Sequence, residues 1–170
     1  MKISICIPSY GRPEWLWETI SSFQDMAEFE DNLEILVGLT TTDPRLKDYE
    51  GIEGFYNHGK LWTLPDGDTT AKWNHLAKQA TGDLIMLGSD DIIMRTPKWD
   101  SSLIPASAKI PRVYNFDDGR STKGKIGSPH PIINRAWYET LGYLVILNFI
   151  TGIVIRGSEL LQNVRIHSDI

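Results

Sequence analysis

A single cysteine, no excess of basic side chains and no long apolar run set the first limits on this chain. Cys6 stands alone inside an apolar stretch, so neither a disulfide framework nor a thiolate metal site can be built within one chain, which suits a reducing cytoplasm. The formal net charge of −5 removes the broad attraction to phosphate backbones that a nucleic-acid binder shows, and no nucleic-acid partner is expected. The longest apolar stretch, Leu144 to Ile155, is interrupted by Asn148 and Gly152 and falls well short of the roughly 20 residues that cross a bilayer, so no membrane span is expected. The opening MKISICIPSYGRP lacks the longer apolar core and small-residue cleavage site of a signal peptide. His58, His75, His130 and His167 show no metal-ligand spacing such as HExxH.

What is present reads as one α/β domain. With 170 residues the chain can bury a core without staples, and 41% hydrophobic residues give it the material to do so. Ile3, Ile5, Cys6 and Ile7 form a buried strand that stops at Pro8-Ser9-Tyr10-Gly11-Arg12-Pro13. A helix follows, with Pro13 and Glu14 in its first turn and Leu16, Ile20 and Phe23 at helical spacing. Leu33 to Leu39 is a second buried strand ending at a polar tip, Thr40 to Pro44. A weaker strand is expected at Gly51 to Tyr56, before a glycine-rich loop that carries Trp62. Thr70 is expected to cap a helix through Ala80 that Gly82 ends. Asp83 to Leu87 is a central strand running into Gly88-Ser89-Asp90-Asp91. Further on come a strand at Val113 to Phe116, a loop from Asp117 to Ser128, and a helix from Ile133 to Leu141 stopped by Gly142. Alternation of strand and helix argues for a mostly parallel central sheet with helices on both faces, a Rossmann-like three-layer sandwich.

In such sheets ligands sit beyond the carboxyl ends of the strands, where both the Ser9-Tyr10 loop and the Asp90-Asp91 pair fall. Two adjacent carboxylates at a strand's end offer hard oxygens to Mg²⁺ or Mn²⁺, and the same pair would equally suit a solvated turn or a helix cap. Ser9, Tyr10 and Arg12 supply a hydroxyl, an aromatic face and a guanidinium suited to a nucleotide. Asp43 can accept from a base edge or simply brace a turn. Lys72 and Asn74, early in their helix, would point toward phosphate, although a solvated face explains Lys72 as well. Of the six tryptophans, Trp62 is the one whose loop position suggests ligand contact, the others suiting core packing.

ISICIPSYGRPEWLWETISSF, TTAKWNHLAKQATGDLIMLGSDDI and RTPKWD together resemble the family 2 glycosyltransferases, over residues 2 to about 143. The resemblance implies a GT-A-type fold, a nucleotide-diphosphate sugar donor, an unidentified acceptor, and transfer with inversion assisted by Mg²⁺ or Mn²⁺. It assigns Ser9, Tyr10, Arg12 and Asp43 to the base side of a nucleotide-sugar site, and Pro8, Lys72, Asn74 and Ser89 are expected to contact the same nucleotide sugar. Asp90 and Asp91 map to the acidic DXD motif that holds ribose and metal. Gly88 stands where many members carry the first acid, and Thr40 to Thr42 replace an acid-rich tip. A nucleotidyltransferase on the same fold is the nearest rival, but SYGRP has too few glycines and basic residues for its usual loop. A non-catalytic binding module is the other.

HPIINRAWYETLGY, from His130 to Tyr143, is similar to the family's acceptor-side helix, after which an acidic base and often a metal-binding histidine are expected. Neither stands out in residues 144–170, and within 1–143 only Asp117 and Asp118 could serve as base, a loop turn being their plainer role. If Tyr143-Leu144-Val145 is encoded TAT-TTA-GTG, restoring one T opens a frame compatible with GYFSDPEFYHWYCDTW, which contains the missing residue types. The chain is therefore read as a nucleotide-sugar-binding domain, 1–143, followed by an atypical tail, 144–170, for which a one-base deletion is the favoured origin and a genuine apolar strand or helix from Leu144 the alternative.

Overall fold

The computed structural model describes residues 1–52, 59–103, 110–114 and 130–145. β1 (Ile3–Ser9) runs two residues further than its proline suggests. Its pairing with β4 (Leu84–Leu87) ends at Cys6 opposite Leu87, whereas its pairing with β2 (Leu33–Thr40) continues to Ser9 opposite Leu39. Pro8 thus lies past the doubly paired stretch, where a missing N–H is tolerated.

Between these strands α1 (Pro13–Asp25) buries Pro13, Leu16, Thr19, Ile20 and Phe23, as its periodicity predicts. The RTPKWD segment latches its far end. Trp99 donates from Nε1 to the Phe23 carbonyl at 3.0 Å and meets the Phe23 ring edge-on, while the Asp100 carboxylate accepts from the Glu28 and Phe29 amides at 2.7 and 2.8 Å.

Several expectations are corrected. The third strand, β3 (Lys60–Leu64), pairs with β2 and contains Trp62, so Trp62 belongs to an edge strand and not to a loop. Where the sequence suggests a strand from Gly51, that residue turns the chain at φ +93°, and residues 53–58 lie outside the described part. The cap of α2 (Thr69–Gln79) is Asp68, whose carboxylate accepts from the Ala71 amide at 2.6 Å, and Ala80, not Gly82, closes the helix. Gly82 serves a close approach instead, because a Cβ there would sit 2.6 Å from Ser4 Oγ. Finally, Ile132 and Ile133 are extended. They belong to β6 (Ile132–Asn134), and only then does α3 (Arg135–Leu141) begin, with Asn134 accepting from the Trp137 amide at 3.0 Å. Two β-branched residues favour the strand, and Gly142 ends the helix at φ +78° as its position predicts.

With β5 (Val113–Tyr114), the strands among the described residues form one sheet in the order β3-β2-β1-β4-β6-β5. The first four are mutually parallel, and β6 is antiparallel to both β4 and β5. Side chains alternate across it. Ile3, Ile5, Ile7, Ile35, Val37, Leu39, Leu84 and Met86 pack toward α1, whereas Cys6, Leu36, Ile85 and Leu87 pack with Leu76 and Ala77 of α2 and Trp137 of α3. The period of two sets these strands between two helical layers, the expected sandwich.

Opposite the ligand end, the buried Glu34 carboxylate accepts from Ser4 Oγ at 2.5 Å, from the Thr81 amide and hydroxyl at 2.8 Å each, and from Lys2 Nζ at 3.1 Å. Burial alone would raise its pKa, but these hydrogen bonds outweigh burial and leave it below the ordinary glutamate value. A depressed folded value means that the contribution is present above the unfolded glutamate pKa and is lost as pH falls through the folded one. Glu34→Gln should cost about 2 kcal/mol in urea denaturation at pH 7. The gap from wild type should narrow as pH falls below 4.5, the ordinary glutamate value; an equal gap at every pH would contradict the assignment.

Candidate functional site

The chain order reverses between β1 and β4, which makes the crevice beyond their carboxyl ends the switch point of the sheet. Two segments meet there, the Ser9–Arg12 loop after β1 and the Gly88–Asp91 turn after β4. The Gly88 amide donates to the Cys6 carbonyl at 2.8 Å and carries the strand pairing one step past β4. Trp73 of α2 donates from Nε1 to the Gly88 carbonyl, also at 2.8 Å, and so holds the turn from the other side.

Asp90 has 0% of its surface exposed. Its Oδ2 accepts from Ser9 Oγ at 2.7 Å and its Oδ1 from Arg12 Nη2 at 2.5 Å. Asp91 is open to solvent; one oxygen accepts from Ser89 Oγ at 2.6 Å, and the other lies 3.6 Å from Arg12 Nη1. One guanidinium thus spans both carboxylates. The loop is braced from β2: Asp43, buried, accepts from the Gly11 amide at 2.6 Å and the Arg45 amide at 2.8 Å. Tyr49 Oη accepts from the Arg12 amide at 2.9 Å and lies 3.1 Å from Ser9 Oγ. Gly11 takes φ +69°, which a glycine adopts without penalty at this tight corner.

Burial pushes the Asp90 carboxyl above the ordinary aspartate value, the Ser9 bond and the Arg12 charge pull it down, and the Asp91 charge pushes it up again. Burial likewise raises the Tyr49 phenol, which stays neutral and able to accept from the loop amide. The outcome is a constrained acidic corner with one buried and one open carboxylate.

The structure brings Ser9, Arg12, Asp43, Ser89, Asp90 and Asp91 into one connected corner. Pro8 leads into it from β1, and Tyr10 stands beside it half exposed. Lys72 reaches the same edge from α2, donating from Nζ to Thr40 Oγ1 at 2.6 Å at the end of β2. Asn74 is engaged elsewhere: its Oδ1 accepts from the Leu144 and Val145 amides at 2.8 and 2.9 Å, and its Nδ2 donates to the Val145 carbonyl at 2.7 Å. Asp117 and Asp118 lie outside the described residues. Sequence reasoning missed Tyr49, which carries no motif, and took Trp73 for packing alone.

Among the described residues no three His, Cys, Asp or Glu side chains assemble a metal cage. A hard cation shared with phosphate oxygens needs only one or two carboxylates, and Asp91 is exposed, its Oδ2 facing the Arg12 guanidinium at 3.6 Å with no closer partner among the described residues. The donor set fits Mg²⁺ or Mn²⁺ held jointly with a phosphate ligand.

No protein-family model matches the chain, and no curated protein matches it in sequence. Solved structures do match in fold. A Staphylococcus aureus TarS fragment, 1–349, superposes with a TM-score of 0.64 at 18% identity, over 84% of this chain and 50% of that one. The mannosyltransferase PcManGT from Pyrobaculum calidifontis, in complex with GDP-Man and Mn²⁺, gives 0.62 at 11% identity, over 84% of this chain and 47% of that one. Rv0371C of Mycobacterium tuberculosis, in complex with manganese, gives 0.51 at 15% identity over 85% and 76%. The fold is therefore the GT-A type that the resemblance implies. The chain spans about half the length of the first two.

Gly88 explains one departure from the family pattern. A Cβ at this position would lie 2.9 Å from Ile7 Cγ1 and 3.1 Å from both the Cys6 carbonyl oxygen and Ile5 Cγ2, so the acid that many members carry there has no room. Gly88→Asp should lower stability by about 1–3 kcal/mol, read as a shifted urea midpoint; an unchanged midpoint would contradict this packing.

Proposed function

We propose that the chain is the donor-binding core of a metal-dependent glycosyltransferase that moves a sugar from a nucleotide-diphosphate sugar to an acceptor hydroxyl with inversion, in the cytoplasm. The observation that carries the reading is the buried Asp90 joined to the β1 loop, with Asp91 open beside it, at the switch point of a GT-A sheet. TarS has been crystallised with UDP-GlcNAc and with UDP, and PcManGT with GDP-Man and Mn²⁺, which supports a donor of the same class here. Among the described residues no helix is long and apolar enough to cross a membrane.

Pro8 and Ser9 set the floor of the base site, Tyr10 offers its ring for stacking, and Asp43 fixes the loop's course while keeping lone pairs for a base edge. Arg12 and Lys72 supply positive charge to a diphosphate, and the Ser89 hydroxyl orients Asp91. Mg²⁺ or Mn²⁺, held by Asp91 with Asp90 behind it, would neutralise the leaving diphosphate. The general base is unassigned, with Asp117 and Asp118 its candidates within 1–143. Asn74 acts as a clamp on the chain leaving α3. It grips only backbone at Leu144 and Val145, which the restored reading frame would present equally, so this contact is neutral on the division into a 1–143 domain and a frame-shifted tail, 144–170, which rests on the sequence.

Calorimetric titration of UDP- and GDP-sugars tests the reading. One of them should bind, on the order of tenfold tighter with Mn²⁺ than without, and Asp91→Asn should remove the metal-dependent part. Binding of neither donor under either condition would leave a non-catalytic module.

A further inference from the structure

The position a divalent ion would take is already served by a cation of the chain itself. Arg12 Nη2 lies 2.5 Å from Asp90 Oδ1 and Nη1 lies 3.6 Å from Asp91 Oδ2, so the guanidinium lies against the very oxygen that Asp91 would give to a metal. We propose that Arg12 is a built-in counter-cation of the Asp90–Asp91 pair, which keeps a divalent ion out until a nucleotide diphosphate draws the guanidinium away. The inference rests on the donor-binding reading above and adds an order and a coupling to it.

Three observations support it. The Arg12 backbone is fixed, its amide donating to Tyr49 Oη at 2.9 Å and its carbonyl accepting from the Leu16 amide at 3.1 Å, yet its side chain is 47% exposed, so an incoming anion can reach the guanidinium from solvent. Asp90 keeps a second partner, Ser9, and does not lose all its hydrogen bonds when Arg12 leaves. The planar fork of arginine suits phosphate as well as carboxylate, so a diphosphate entering the crevice competes for Arg12 on equal chemical terms. A divalent ion arriving alone would meet a like charge at the pair and leave the cluster with excess positive charge. Phosphate oxygens remove that excess and also complete the coordination that two carboxylates leave unfinished. Metal and nucleotide must then strengthen each other reciprocally, with Arg12 as the element through which they do so.

Mn²⁺ binding to the full chain, followed by the paramagnetic resonance of free Mn²⁺ without nucleotide and then with UDP or GDP, tests this. Wild type should bind Mn²⁺ weakly alone and about tenfold tighter with the preferred nucleotide. Arg12→Gln should bind Mn²⁺ alone about tenfold tighter than wild type while the nucleotide's enhancement shrinks in proportion, and Arg12→Lys, which keeps the charge, should stay near wild type. A purely structural Arg12 would instead give Arg12→Gln equal or weaker Mn²⁺ binding, which overturns the proposal. Wild type that binds Mn²⁺ as tightly alone as with nucleotide overturns it too, whether or not Arg12→Gln folds. Mutual strengthening in wild type that persists unchanged in Arg12→Gln removes the Arg12 mechanism and leaves the donor-binding function standing; no binding of Mn²⁺ or nucleotide in any form removes both.

Discussion

A carboxylate shut away from solvent needs partners, and Asp90 finds them in a loop that follows a different strand. Its two oxygens take the Ser9 hydroxyl and the Arg12 guanidinium, so the turn after β4 and the loop after β1 are fastened to each other through one buried side chain. An unpaired charge in that place would be strongly disfavoured. The pairing therefore does two things at once: it orders both segments, and it leaves Asp91 as the carboxylate turned toward solvent. The function proposed here rests on that division between a buried acid that organises and an exposed acid that binds.

Everything around the pair serves to keep it there. The parallel pairing of β1 with β4 brings the two strand ends side by side, and the Gly88 amide extends that pairing to the start of the turn. Trp73 anchors the turn from α2, while Asp43 and Tyr49 anchor the loop from the side of β2. Three consecutive strands of the sheet thus contribute to one corner. Such convergence at a switch point is what open α/β sheets offer to a ligand.

The layered fold was legible because its strands are apolar runs bounded by turn residues and α1 has a clean helical period. The acidic pair was legible because it directly follows such a run. What escaped was whatever depended on long-range partners. Lys60–Leu64 looks like loop because glycines flank it on both sides, and its half-buried tryptophan lies on an edge strand that only β2 defines. Ile133 continues a helical pattern, and its extended form comes from pairing with β4. Tyr49 sits 40 residues from Ser9, and nothing local announces that its hydroxyl braces the first loop. Asn74 faces the phosphates in a one-dimensional reading, but in three dimensions it meets the backbone at Leu144 and Val145.

The most direct measurement is a crystal of the protein grown with Mn²⁺ and a nucleoside diphosphate, read by the anomalous signal of the metal. The account predicts a single manganese peak against the Asp91 carboxylate, between the ends of β1 and β4, with the diphosphate on its far side. A peak elsewhere, or a nucleotide bound away from the Ser9–Arg12 loop, would contradict it.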